Sequence, residues 1–124
     1  NFNDNRRMNF FAINVSYTAD LSRALTIVEE EIEKHPSFLD TRSAEDKTKG
    51  VKPVTARVTN LGASSIELRA GFWSEDFGTG YVMLCDLNQG VKERFDREKI
   101  EIPYPYYNLV MKSEGNVSAI QEKY

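Results

Sequence analysis

Two stretches in the middle of the chain alternate between apolar and polar residues, which is the pattern of a β-strand with one buried face. The first covers residues 54–59 and the second covers residues 66–74. Between them, Asn60 and Gly62 suit a turn, because both residue types tolerate positive φ values. We therefore predict a β-hairpin, with the rest of the chain arranged around it.

The residues before the hairpin predict a strand followed by a helix. The odd-numbered positions of residues 11–17 are apolar or aromatic, so we expect a first strand that turns these side chains into the core. Apolar residues then recur at helical spacing over about residues 21–35, with Thr18 or Asp20 as the N-cap. The charged segment 37–52 predicts an exposed, mobile loop.

The residues after the hairpin predict a helix followed by a strand. The helix covers about residues 81–97, and we attribute Gly90 within it to a neighbour that packs closely. Pro103 and Pro105 then force an extended chain, since each fixes its own φ and restricts the residue before it. The alternation over residues 107–111 predicts a last strand.

The predicted order is therefore strand, helix, strand, strand, helix, strand. Two split βαβ units with right-handed crossovers form a four-stranded antiparallel sheet with two helices on one face. The expected fold class is α+β, and the expected architecture is a ferredoxin-like βαββαβ sandwich. Trp73 would lie on the other face of the sheet, where a large apolar group calls for a covering surface.

Composition narrows the possible partners. A chain of 124 residues holds one domain, and its net charge of −3 with a pI near 5.2 argues against nucleic acid, which needs clustered Lys and Arg. No run of 18 apolar residues is present, so none of this sequence predicts a membrane span. The single cysteine, Cys85, excludes an intramolecular disulfide and favours a reducing compartment.

No group of residues forms a catalytic or metal site that the sequence supports, so we expect neither an enzyme nor a cofactor. His35 lies at a helix end without an evident partner, and Cys85 is expected to be a buried structural thiol. The acidic residues within 29–33 do not share one helix face, which favours solvated surface over a cation site. Residues 78–80 (Gly-Thr-Gly) lack the rest of a P-loop and predict a flexible helix entry.

Three groups of motifs occur along the chain in a characteristic order and spacing. They are residues 6–10 with 15–21, residues 60–66 with 72–74, and residues 92–96 with 100–105. The most specific are the Asn60-Leu61-Gly62-Ala63-Ser64-Ser65 turn and the Pro103-Tyr104-Pro105 segment in combination. Together they resemble the cytoplasmic C-terminal domain of the small-conductance mechanosensitive channel (MscS) family, over roughly residues 5–112.

The resemblance implies a part of an integral membrane protein on the cytoplasmic side of the bacterial inner membrane. Family members are homoheptamers in which transmembrane helices form a tension-gated pore, followed by a β domain and then this domain. Seven copies would form a vestibule whose side portals pass ions and small osmolytes during hypo-osmotic stress. The chain starts at Asn1, so we expect a piece of a longer protein whose upstream helices are missing, and we leave a monomer open for this piece alone.

The same resemblance divides the chain into an exit from an upstream β domain (residues 1–8), a vestibule domain (9–112) and a polar tail (113–124). Rigid aromatic side chains are enriched in the contacts between subunits. The candidate subunit-interface residues are Trp73, Pro103, Tyr104 and Pro105. The alternative is a stand-alone ferredoxin-like module that binds a small ligand or a protein, since this fold hosts many functions.

Overall fold

A computed structural model of the chain describes residues 5–104. Within them, three strands and three helices follow in the order β1, α1, α2, β2, β3, α3. Their bounds are Arg7–Val15 for β1, Leu21–Lys34 for α1, Ala44–Thr48 for α2, Ala56–Leu61 for β2, Ile66–Ser74 for β3 and Phe77–Arg97 for α3.

The strands form one antiparallel sheet in which β3 lies between β1 and β2. Phe11 of β1 and Ala56 of β2 both face Ala70 of β3. β2 and β3 form the predicted hairpin, but Asn60 belongs to β2 and neither Asn60 nor Gly62 has a positive φ, so that part of the turn prediction is wrong. The carbonyl oxygen of Gly62, between the two strands, accepts a hydrogen bond from the Tyr17 hydroxyl. The placement of β3 between β1 and β2, with α1 in the connection, is the predicted split βαβ arrangement.

The core lies between one face of this sheet and helices α1 and α3, which also pack against each other. Alternation on β3 puts the side chains from Ile66 to Ser74 at even numbers into the core. The largest enclosed side chains are Phe11, Val15, Ile27, Val28, Ile32, Leu68, Met83, Leu87, Val91 and Phe95. Burying one such side chain stabilises the fold by about 1.5–3 kcal/mol, so this cluster determines how the helices sit on the sheet.

The sheet has three strands within residues 5–104, not the four that the pattern predicts. The predicted fourth strand, residues 107–111, lies outside the described residues. The segment before it approaches the end of β1, where the carbonyl oxygen of Glu101 accepts a hydrogen bond of 3.0 Å from the backbone N–H of Ser16. Pro103 has no N–H to continue this pairing, and residues 101–104 form no strand.

Part of the predicted mobile loop is ordered as the short helix α2. Ser43 and Asp46 form a capping box, in which each side chain accepts the backbone N–H of the other. Arg42 pairs with Asp40 and donates to the carbonyl oxygen of Val51, which closes the segment on itself. Periodicity does not reveal α2, because none of its five residues is buried and it has no apolar face.

Three element starts differ from the sequence prediction: β2 begins at Ala56 instead of residue 54, and β1 and α3 both begin earlier than predicted. α3 begins at Phe77 instead of about Tyr81, because the Asp76 carboxylate caps it by accepting the backbone N–H of Thr79 at 2.7 Å. The Gly-Thr-Gly segment is therefore helical rather than a flexible entry. β1 begins at Arg7, where it pairs with Ser74 of β3.

Candidate functional site

The open face of the sheet, which points away from the helices, carries a group of large apolar side chains at one end. Alternation places Met8 and Phe10 of β1 and Trp73 of β3 on this face, with Met8 directly opposite Trp73. Phe10 is 61% exposed and Trp73 is 37% exposed. We call Met8, Phe10 and Trp73 the sheet patch.

Gly71 makes the sheet patch continuous. It lies opposite Phe10, and the Phe10 ring and the Met8 sulfur lie over it. A Cβ at Gly71 would be 3.1 Å from Phe10 Cε1 and 3.2 Å from Met8 Sδ, so a larger residue would push these side chains away. The glycine therefore lets three apolar side chains form one surface.

The other end of the open face is charged. Arg57 of β2 lies directly opposite Arg69 of β3, and like charges in such a cross-strand pair are unfavourable. Glu67 accepts a hydrogen bond of 2.7 Å from the Thr59 hydroxyl and lies 3.4 Å from the Arg69 guanidinium. Arg57 has no ion pair with any residue from 5 to 104. Within the part of the chain that the structure describes, this end of the face therefore carries uncompensated positive charge.

A second exposed apolar group lies on the first turns of α3. Phe77 is 72% exposed and Tyr81 is 62% exposed, and Val82 beside them is also exposed. We call Phe77, Tyr81 and Val82 the α3 patch. Cys85, one turn beyond Tyr81, is exposed as well, so the prediction of a buried thiol is wrong. The sequence places Cys85 in the correct helix, but the side of the helix on which it lies depends on how α3 sits on the sheet.

The first half of α3 and the turn before it carry only acidic charge. The charged residues from Glu75 to Val91 are Glu75, Asp76 and Asp86, all of them acidic. The backbone N–H and the side chain of Thr79 lower the pKa of Asp76, which keeps its carboxylate ionised at the start of the helix.

Polar contacts between β1, β3 and α3 hold the two patches at the same end of the domain. Asn9 Nδ2 donates to Ser74 Oγ at 3.0 Å and to the carbonyl oxygen of Phe72 at 3.3 Å. Ser74 Oγ donates to the carbonyl oxygen of Asp76 at 2.7 Å. Gly80 faces this group, and a Cβ there would be only 2.7 Å from Ser74 Oγ. The start of α3 is therefore fixed against the end of the sheet.

The structure separates the predicted interface residues into two places. Trp73 lies in the sheet patch, at the end of the domain where α3 begins. Pro103 is half-buried, and Tyr104 is 86% exposed. Both residues follow Glu101, whose carbonyl oxygen accepts the backbone N–H of Ser16 just past the other end of β1. Pro105 lies outside the described residues.

His35 has a partner that the sequence does not reveal. Its Nδ1 accepts the backbone N–H of Ser37 at 3.1 Å, so its Nε2 carries the hydrogen and donates to the Asp86 carboxylate at 2.8 Å. Both ring nitrogens are therefore engaged, and this contact joins the end of α1 to α3. The arrangement orients the ring and offers no free nitrogen for proton transfer.

Two of the four acidic residues of α1, Glu29 and Glu31, are buried, contrary to the prediction of solvated surface, whereas Glu30 and Glu33 are exposed as predicted. Glu29 accepts from Lys52 Nζ and from the backbone N–H of Ala56, both at 2.9 Å. Glu31 contacts Lys34 at 2.7 Å and Arg94 at 3.4 Å.

A Cβ at Gly90 would be 2.6 Å from Glu31 Oε1, which is the close packing that the sequence predicts for this glycine. Arg94 of α3 also reaches Glu30 at 2.8 Å, so the acids connect α1 to α3. No group of three or more metal-ligating side chains occurs among residues 5–104. None of the helices in the same range combines the length and apolarity needed to cross a bilayer.

The fold is that of an α+β domain with apolar surface at one end of its open sheet face. Comparison with known proteins identifies the family to which this domain belongs. The family model described as "Mechanosensitive ion channel MscS, C-terminal" matches residues 11–102. The chain belongs to this family of mechanosensitive channel domains, which is not a class of enzymes.

Relatives in the family are longer proteins. The small-conductance mechanosensitive channel MscMJ of Methanocaldococcus jannaschii is 24% identical over 115 residues, which cover 89% of this chain and 29% of that protein. An uncharacterized MscS family protein of Archaeoglobus fulgidus is 28% identical over 115 residues, covering 91% of this chain and 37% of that protein. The chain therefore spans about a third of the length of these curated relatives.

A solved structure shows the same fold. The closed-state crystal structure of Helicobacter pylori MscS matches with a TM-score of 0.69 at 18% identity, over 90% of this chain and 40% of that chain.

Proposed function

We propose that this chain is the vestibule domain of a tension-gated MscS-like channel and that it works as part of a homoheptamer. The observation that carries the proposal is the family match over residues 11–102, in a chain that spans only about a third of its longer relatives. Seven copies would form a cage on the cytoplasmic side of the bacterial inner membrane. Side portals in this cage would pass ions and small osmolytes during hypo-osmotic stress.

The domain division follows from the same proposal. Residues 1–8 form the exit from an upstream β domain, residues 9–112 the vestibule domain, and residues 113–124 a polar tail. The chain reaches the membrane through helices upstream of it, and the 124 residues alone can be monomeric without the pore that holds the ring together.

Exposed aromatic residues are the candidates for subunit contacts. Trp73 is only partly covered within its own domain, and Tyr104 is almost fully exposed beside the half-buried Pro103. Large exposed apolar groups favour a partner surface. We propose Trp73, Pro103, Tyr104 and Pro105 as residues of the subunit interface.

The test uses the full-length protein that contains this chain, expressed in bacterial cells that lack mechanosensitive channels. We expect the protein to restore survival after a hypo-osmotic downshift and to give pressure-activated currents in membrane patches. The mass of the purified complex in detergent should be seven times that of one subunit. Absence of pressure-activated current in correctly inserted protein would refute the channel, and a different mass ratio would refute the heptamer.

A further inference from the structure

We propose that the sheet patch of one copy packs on the α3 patch of the next copy, so that the vestibule ring closes through head-to-tail contacts. This inference rests on the proposed assembly and names the two surfaces that meet in it. The sheet patch consists of Met8, Phe10 and Trp73. The α3 patch consists of Phe77, Tyr81 and Val82.

The positions of the two patches favour this contact over a two-fold one. The sheet patch faces away from the helices, whereas the α3 patch belongs to the helical layer on the other side of the sheet. A two-fold contact brings one surface of a copy against the same surface of its partner, and two patches that face opposite sides of the sheet do not both fit into one such surface. A head-to-tail contact covers both patches in every copy and repeats around a ring.

The charges of the two surfaces are complementary. The charged side chains on the open sheet face are Arg57, Arg69 and Glu67, two cations against one anion. The first half of α3 and the turn before it carry acids alone. Arg57 lies opposite Arg69 without a partner among residues 5–104, so an acidic neighbouring surface would relieve this like-charge pair. Opposite potentials of this kind also fix which surface meets which.

The native cysteine provides the experiment. Cys85 is exposed one turn beyond Tyr81, and it is the single cysteine of the 124 residues. In the full-length protein, with any cysteine outside this chain changed to serine, Phe10→Cys places a second thiol in the sheet patch. A short bis-maleimide should then produce a ladder of dimers, trimers and larger species up to the size of the ring.

Three matched variants make the result specific. The Phe10→Cys, Cys85→Ser protein should give no ladder. The protein that keeps both Phe10 and Cys85 should give none either. Lys47→Cys places an exposed thiol on α2, away from both patches, and should not cross-link to Cys85 between copies. Arg57→Glu should lower the ladder yield at least several-fold, whereas Lys47→Glu makes the same change of charge and should leave it unchanged.

Each alternative has its own outcome. A dimer as the largest product, formed by the Phe10→Cys, Cys85→Ser protein, would show a two-fold contact between sheet patches and overturn the inference. The absence of cross-links between copies, with the thiol at position 10 protected from maleimide even when the protein is dissociated into monomers, would show that another part of the same chain covers the patch and would overturn it too. If the channel conducts and has seven subunits but gives no ladder, the proposed contact surfaces are wrong and the proposed function stands. A protein without a ring refutes the proposed function as well.

Discussion

Gly80 of α3 lies so close to Ser74 of β3 that a Cβ at position 80 would be 2.7 Å from the serine Oγ. Ser74 is fully buried and donates its hydroxyl hydrogen to the carbonyl oxygen of Asp76. The start of α3 therefore touches the end of the sheet through a position where a side chain does not fit. This contact holds the sheet patch and the α3 patch at the same end of the domain.

We expect Gly80→Ala to destabilise the domain by about 1–3 kcal/mol, the usual cost of overpacking a close contact. The added methyl group would displace Ser74 and Asn9, which together link β1, β3 and α3. The matched control is Gly78→Ala in the same helix, since the nearest atom to a Cβ there is 3.9 Å away. Alanine at position 78 should stabilise the helix by up to about 1 kcal/mol. Urea unfolding of both variants measures the difference, and equal effects would refute the packing argument.

Arg94→Met should be costly because it leaves buried acid without one of its cations. Arg94 lies 2.8 Å from Glu30 and 3.4 Å from Glu31, and Glu31 is buried. We expect a loss of about 2 kcal/mol in the free energy of unfolding, less than for a fully isolated buried pair because Lys34 still contacts Glu31.

Lys92→Met is the control for this variant. Lys92 pairs with Asp96 four residues later on the same helix, but both side chains are exposed. Exposed pairs of this kind contribute about 0.3–0.5 kcal/mol, so the control should change the unfolding free energy little. If the two methionine variants lose equal stability in chemical denaturation, burial of Glu31 is not the cause.

Acid should weaken the closed segment around α2 through Asp40. The Arg42 side chain, and then its backbone N–H, lower the pKa of Asp40 below the value of about 4 that an unfolded chain shows. A carboxylate with a lowered folded-state pKa stabilises the fold fully above its unfolded pKa, and this contribution is lost as pH falls through the folded pKa. Asp40→Asn should therefore destabilise at pH 6, with the difference from wild type shrinking as the pH falls below about 4.

Substitution of Glu33 should change the unfolding free energy in the opposite direction from substitution of Asp40. Burial, and then the nearby Glu29, raise the pKa of Glu33, so its ionised form is disfavoured in the folded state. Glu33→Gln should stabilise the protein at pH 7, and this gain should disappear as the pH falls through the raised pKa. Unfolding free energies at several pH values separate the two variants, and parallel curves would contradict both assignments.

Ser43→Ala should loosen α2 with little effect on the whole domain. The Ser43 side chain accepts the backbone N–H of Asp46 at 3.0 Å, and losing such a cap costs about 1 kcal/mol. Because no residue of α2 is buried, the loss should remain local. Hydrogen exchange should speed up at the Asp46 amide and stay unchanged at amides of β3. Faster exchange in β3 would show that α2 is coupled to the core.

Much of the architecture follows from periodicity in the sequence. The alternation in the strands and the helical spacing in α1 and α3 correctly predict most of the core, because burial of apolar area dominates those choices. The exceptions include Tyr17, which lies beyond the end of β1 and is exposed, and Val58 of β2, which is exposed as well. The helix α2 has no apolar face, so a loop is the natural but incorrect interpretation of its residues. The fourth predicted strand stays outside the range that the structure describes.

What periodicity leaves open is where the exposed and polar groups meet. The sequence by itself determines that Trp73 lies on the open side of its strand, and it contains the motifs that resemble the MscS family. Only the tertiary structure places Met8 opposite Trp73, moves Cys85 to the surface and joins His35 to Asp86. These contacts connect residues far apart in the chain, and their geometry depends on how the strands register and how α3 docks on the sheet.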